Sequence, residues 1–267
     1  MGMEIGFIGY NDPAGIEADA KFCAEYGFSA LEYNYWGDFK DVTLEKIQKT
    51  KDILDRYSVG VSAFGIWGWN HLSQDAEERK QAHEMLDRAI KFAEVLEAKV
   101  LVTSGGEIPD ASVDKKVEEF GKVFPPFLDR IEKAGMKVAM YAVHGNSFFD
   151  SIEAYEKLWE KFPQVGVKYD PANWQHHGDD YLAMIRLHGD KITHFHIKEH
   201  VYHDGKLVSQ PAAGMGDIHW GKVMAFLYEH KYEGCLSIEP HGPIWSSGEM
   251  RHKMLLLTKK YMSQFML

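Results

Sequence analysis

The chain has 267 residues, 45% of them hydrophobic and 26% charged, with a formal net charge of −10. That length is close to the roughly 250 residues of an eight-fold β/α barrel and suffices to bury a core without disulfides or a structural metal. The acidic balance argues against a phosphate-backbone binder, which normally presents a basic face, and no apolar run approaches the ~20 residues that span a bilayer.

Met1-Gly2-Met3-Glu4 carries no basic region followed by an apolar stretch, and Gly6 stands where a myristoylation signal has Ser or Thr, so a cytoplasmic protein is expected. The first short apolar run is 5–8. Asp12-Pro13 then reads as a helix cap with proline in the first turn, and Gly27 lies past the far end. The second run, 30–33, contains Glu32. Thr43 can cap the next helix. After the third run, 61–64, comes a long loop at 65–74. Ala82, Leu86, Ile90, Ala93 and Leu96 then share one helical face. The fourth run is 100–103, and a long helix is expected from Val113 to Gly135. Runs at 138–141, 167–169 and 192–196 follow, then a second long loop at 199–217, an eighth run at 235–238 and a last helix beginning near Gly248. Cys23 and Cys235 have no CxxC spacing and read as buried apolar residues.

Each run is too short for a helix and is flanked by Gly, Asn, Asp or Pro, which suits strands of a parallel sheet covered on both faces. Eight strand–helix alternations favour a closed barrel over an open sheet. No G-x-G-x-x-G or P-loop follows any strand. The expected fold is α/β, a single (β/α)8 TIM barrel over residues 1–267.

In such a barrel, polar residues at strand C-termini converge on one pocket. Asp170, His196 and Glu239 end three consecutive strands, and two carboxylates with one imidazole suit Mn²⁺, Mg²⁺, Zn²⁺ or Co²⁺. His194 and His196 share a strand face by the period of two. Lys198, two residues past His196, can polarise a substrate oxygen and is the fixed cation among these candidates. Glu32 and His241 can meet substrate hydroxyls. Trp67, Trp69, Trp174 and Trp245 lie on expected loops and offer faces for a sugar ring.

Essentially the whole chain, and most specifically the stretch from Val167 to Trp245, resembles the xylose isomerase-like barrels, the sugar phosphate isomerase/epimerase superfamily, which includes tagatose 3-epimerase and inosose dehydratase. Lys168-Tyr169-Asp170-Pro171 resembles the family's sixth strand, and His194-Phe195-His196-Ile197-Lys198-Glu199 its seventh. Gly214-Met215-Gly216-Asp217-Ile218-His219-Trp220 and the Tyr232-Glu233-Gly234 run to Glu239 are also similar, as are Ser62-Ala63-Phe64-Gly65 and His71-Leu72-Ser73. The resemblance implies that Asp170, His196 and Glu239 are three of four metal ligands and that His71 joins Glu32 and His241 in substrate binding. The family's fourth ligand, a Glu ending strand five, falls on Tyr141 or Ala142. Asn173 stands where the family commonly has His.

The expected function is a metal-dependent isomerase, epimerase or dehydratase acting on an unphosphorylated sugar or cyclitol. Glu239 and His144 are the candidate base and acid, and Lys198 assists. With one of the paired carboxylates missing, a symmetric two-base epimerisation is not expected. The alternatives are a non-catalytic or metal-free sugar-binding barrel and a metal-dependent abasic-site endonuclease. A homo-oligomer is compatible with the resemblance. Nucleic acid and membrane are not expected partners.

Overall fold

The computed structural model describes residues 2–266. All eight expected strands form. They are β1 (Glu4–Ile8), β2 (Ala30–Tyr35), β3 (Gly60–Ile66), β4 (Val100–Thr103), β5 (Lys137–Tyr141), β6 (Gly166–Tyr169), β7 (Ile192–Ile197) and, after two short strands, β10 (Cys235–Ile238). The short pair, β8 (Val201–His203) and β9 (Lys206–Ser209), is an antiparallel hairpin within the long loop after β7. The eight longer-range strands pair in parallel and close into a barrel, with β1 bonded to both β2 and β10.

The helices begin and end where local chemistry dictates. The Asp12 carboxylate accepts from the Gly15 N–H at 3.0 Å and caps Pro13–Tyr26, while Gly27 takes the left-handed conformation that stops it. The helix expected over 113–135 is instead two, Val113–Val123 and Pro125–Lys133. Pro125 and Pro126 supply no backbone N–H, so the hydrogen-bond ladder breaks there.

Alternation divides each strand between an outer core, packed against the helices, and the barrel interior. The outer core takes Phe7, Leu31, Phe64, Leu101, Met140, Tyr169, Phe195 and Leu236, all fully buried. The interior is split. Ala63, Trp67, Val100, Val102, Ala139 and Tyr141 form a separate apolar cluster on the side of β3, β4 and β5. Glu32, Lys168, His194, His196 and Ser237 occupy the other side and are equally buried.

Candidate active site

Strand register sets the polar residues side by side. Ser237 of β10 pairs with His196 of β7, and Lys168 of β6 pairs with His194. They stack in two layers. In the lower one, Glu32 is completely buried and accepts from Asn34 Nδ2 at 2.8 Å, His194 Nε2 at 2.7 Å, His196 Nε2 at 2.9 Å and Ser237 Oγ at 2.5 Å. Burial favours the protonated acid, but the two imidazoles outweigh it and hold Glu32 well below the usual carboxylate range. Glu32 thus has no spare oxygen for a ligand, and it does not line the cavity above. Its position makes it a support for His196 rather than the substrate contact expected from the sequence.

The upper layer faces that cavity, of about 380 Å³. His196 Nδ1 points at Glu239 Oε2, 2.7 Å away, and lies 3.9 Å from Asp170 Oδ2. Asp170 Oδ1 caps the helix Pro171–His177 through the Ala172 and Asn173 N–H groups, while its buried Oδ2 takes no well-aligned hydrogen bond. The Lys198 ammonium sits 3.0 Å from that oxygen and 3.3 Å from Glu239. His241 Nδ1 lies 3.2 Å from Glu239 Oε1. Burial disfavours the Glu239 anion, but Lys198, His196 and His241 prevail and hold it well below its ordinary range. For Lys198 burial is likewise outweighed, by Asp170 and Glu239, and its pKa rises.

These atoms fit a divalent cation. Asp170 Oδ2, His196 Nδ1 and Glu239 Oε2 offer two oxygens and one nitrogen within 4.8 Å of one another. Both ring nitrogens of His196 face carboxylates, and although burial would lower its pKa, Glu32 and Glu239 raise it. A bound ion would take the place of the Nδ1 proton with the Nε2–H still given to Glu32, and a carboxylate behind a histidine is the usual support for such a ligand. A bound ion would require the Lys198 ammonium to move from between the two acids. The fourth carboxylate is absent because β5 ends in Tyr141, whose ring stacks on Trp67 at 4.1 Å, and whose hydroxyl is pushed up to about 12 by burial. Ala142 follows it.

His144 lines the cavity, as expected. Its Nδ1 lies 2.8 Å from the Ala142 carbonyl, which can only accept, so Nδ1 carries the proton and Nε2 the lone pair. Burial lowers its pKa, and the neutral ring is favoured. His71 is not brought to the site. It is wholly buried, with Nε2 2.9 Å from Thr103 Oγ1 and its ring against Phe124, because the loop after β3 folds it inward. Trp67 lines the cavity, whereas Trp174 and Trp245 do not.

Sequence reasoning did not place Lys168, Trp36, Asn11, Asn34 or Asn173 in the site, and all five line the cavity. Lys168 is as buried as Lys198 and lies on the cavity wall, 3.7 Å from Asp170 Oδ2 and 5.2 Å from the centre of the Trp67 ring. Its spacing of two from Asp170 was the available signal, since both must face the same way. Trp36, more than half exposed at the rim, stacks on Trp67. Behind the wall, Glu199 fastens the long loop after β7. It accepts from the Gly214 and Ile218 N–H groups at 3.0 Å and from Trp220 Nε1 at 2.8 Å.

Residues 20–260 match the model of the xylose isomerase-like TIM barrel family. The chain belongs to that family. No curated protein matches it by sequence. Among solved structures of xylose isomerase-like fold, a D-allulose 3-epimerase from Methylomonas sp., crystallised with D-allulose, is 15% identical. It aligns with a TM-score of 0.79 over 98% of this chain and 96% of its own. A xylose isomerase domain protein from Planctomyces limnophilus is 18% identical, with a TM-score of 0.76 over 99% and 98%. The IOLI protein with a bound zinc atom is 15% identical, with a TM-score of 0.76 over 98% of each chain. Identities this low establish a shared barrel. Among the described residues, no helix is long and apolar enough to cross a membrane.

Proposed function

We propose that this chain is a divalent-metal-dependent enzyme that moves a proton on an unphosphorylated sugar or cyclitol, as an isomerase, epimerase or dehydratase. The reading rests above all on His196, supported from behind by Glu32 and aimed with its Nδ1 at Asp170 and Glu239. The 3-epimerase activity of one similar structure and the zinc bound in another agree with it.

Asp170, His196 and Glu239 would hold the ion. When bound, it supplies Lewis acidity, which polarises a substrate carbonyl and acidifies the neighbouring C–H. His144, neutral and with a free Nε2 lone pair, accepts that proton. Glu239, kept anionic by its cationic neighbours, suits a ligand better than a base, so His144 takes the role of base expected of Glu239. Lys198 donates hydrogen bonds to oxygen that gains negative charge. With Tyr141 at the end of β5, one base serves one face of the substrate. That favours proton return to the adjacent carbon, or loss of a hydroxyl, over two-sided epimerisation.

A metal-free sugar-binding barrel is the second reading, favoured by the Lys198 ammonium between the two carboxylates. Elemental analysis and Mn²⁺ or Zn²⁺ titration separate the two. The expected result is about one ion per chain, lost in Asp170→Asn. A protein that takes up no divalent ion before or after titration refutes the metal-dependent reading.

A further inference from the structure

Lys168 is a buried ammonium without an assigned partner. Among the described residues the only carboxylate within ion-pair distance is Asp170, with Oδ2 at 3.7 Å, beyond hydrogen-bond reach. It donates no hydrogen bond to protein. Its remaining support is the face of Trp67, 5.2 Å from Nζ to the ring centre. A charge this far from bulk water needs an acceptor, either solvent in the cavity or a ligand group. Lys168 lines the cavity, so the acceptor can come from the ligand.

The charge balance indicates the kind of acceptor. Three carboxylates, Asp170, Glu239 and Glu32, face two ammoniums, Lys168 and Lys198. With the imidazoles neutral and a divalent ion bound, the set would carry one surplus positive charge. A neutral sugar leaves that surplus uncompensated in a buried site. A single negative charge on the substrate removes it.

We infer that the substrate carries a carboxylate, as a sugar acid or polyhydroxylated keto acid, and that Lys168 is the subsite that receives it. The inference takes its charge balance from the metal-dependent reading, but the unpartnered ammonium stands without it. A phosphate is less suited. No arginine fork lines the cavity, and the N-terminus of the helix Pro171–His177 is already capped by Asp170. Asn11, Asn34 and Asn173 on the same wall provide neutral donors and acceptors for hydroxyls.

The test is calorimetric titration of the full chain, with and without Mn²⁺, using D-galacturonate and D-gluconate against D-galactose, D-glucitol and galactose 6-phosphate. The acids should bind about ten-fold or more tightly than their neutral counterparts. In Lys168→Met that advantage should collapse to within about two-fold, while Lys168→Arg retains it. Lys168→Gln serves if the Met variant does not fold, as judged by its melting curve. Equal affinity for acid and neutral ligands overturns the inference. So does no binding of either acid, stronger binding of the phosphate, or an acid preference that survives removal of the charge. A chain that binds no Mn²⁺ but still prefers acids through Lys168 defeats the metal-dependent reading alone.

Discussion

Inside the barrel, the side built from β3, β4 and β5 holds Ala63, Trp67, Val100, Val102, Ala139 and Tyr141, while the opposite side holds Glu32, Lys168, His194, His196 and Ser237. Both are buried, yet different forces hold them. The apolar side gains from burial and close packing, and it tolerates exchange among residues of similar volume. The polar side keeps its charges buried only through mutual contact, and removing one partner leaves another uncompensated. Such an arrangement is weak evidence of stabilisation and better evidence of use. Tyr141 marks the boundary. Where the family resemblance leads one to expect a carboxylate, this chain extends the apolar side by an aromatic ring stacked on Trp67.

The largest expected effect tests whether chemistry crosses that boundary. His144 stands just beyond β5, and His144→Ala should reduce turnover by about 10²–10⁴. Because the neutral ring is the base and burial lowers its pKa, activity should be lost on acidification, with the limb lying below its ordinary value of 6.5. Turnover that survives the substitution would confine the chemistry to the polar side. A smaller effect should follow from damage to the apolar side. Trp67→Ala removes the ring between Trp36 and Tyr141 and should lower unfolding stability by about 3–5 kcal/mol in denaturant titration. A loss under about 1 kcal/mol would mean that packing there is not what holds the wall.

The smallest effect concerns the imidazole buried beside β4. Burial pushes His71 down to about 3, so between pH 6.5 and 3 the unfolded chain binds the proton that the folded chain refuses. Stability from this residue is therefore intact above 6.5 and declines as pH falls toward 3. Melting curves of the parent should drop on acidification by roughly a few degrees more than those of His71→Gln. Parallel curves would assign the acid sensitivity to the polar cluster instead.

The barrel was readable because each strand is a short, nearly continuous apolar run, a pattern produced by burial on both faces. Convergence of Asp170, His196 and Glu239 followed from parity and strand order alone. Lys168 obeys the same parity, but a lysine two residues before a strand-end acid resembles an ordinary solvated side chain until the strand on either side is known. His71 failed for the opposite reason. Its loop position favours the pocket, and only the tertiary contacts with Thr103 and Phe124 turn it inward. The break at Phe124 was legible in Pro125-Pro126, which sit inside the helical pattern and cannot continue its hydrogen bonds.

Glu199 has a kinetic consequence. Three donors from the far end of the loop converge on its buried carboxylate, so the loop can leave only by stranding a charge in the wall. The loop after β7 is therefore a fixed part of the barrel's upper face, while the mouth of the cavity is rimmed by Trp36 and His241 from the loops after β2 and β10. Opening of the β7 loop is then not a step on the ligand's path, since no residue of that loop past Lys198 lines the cavity.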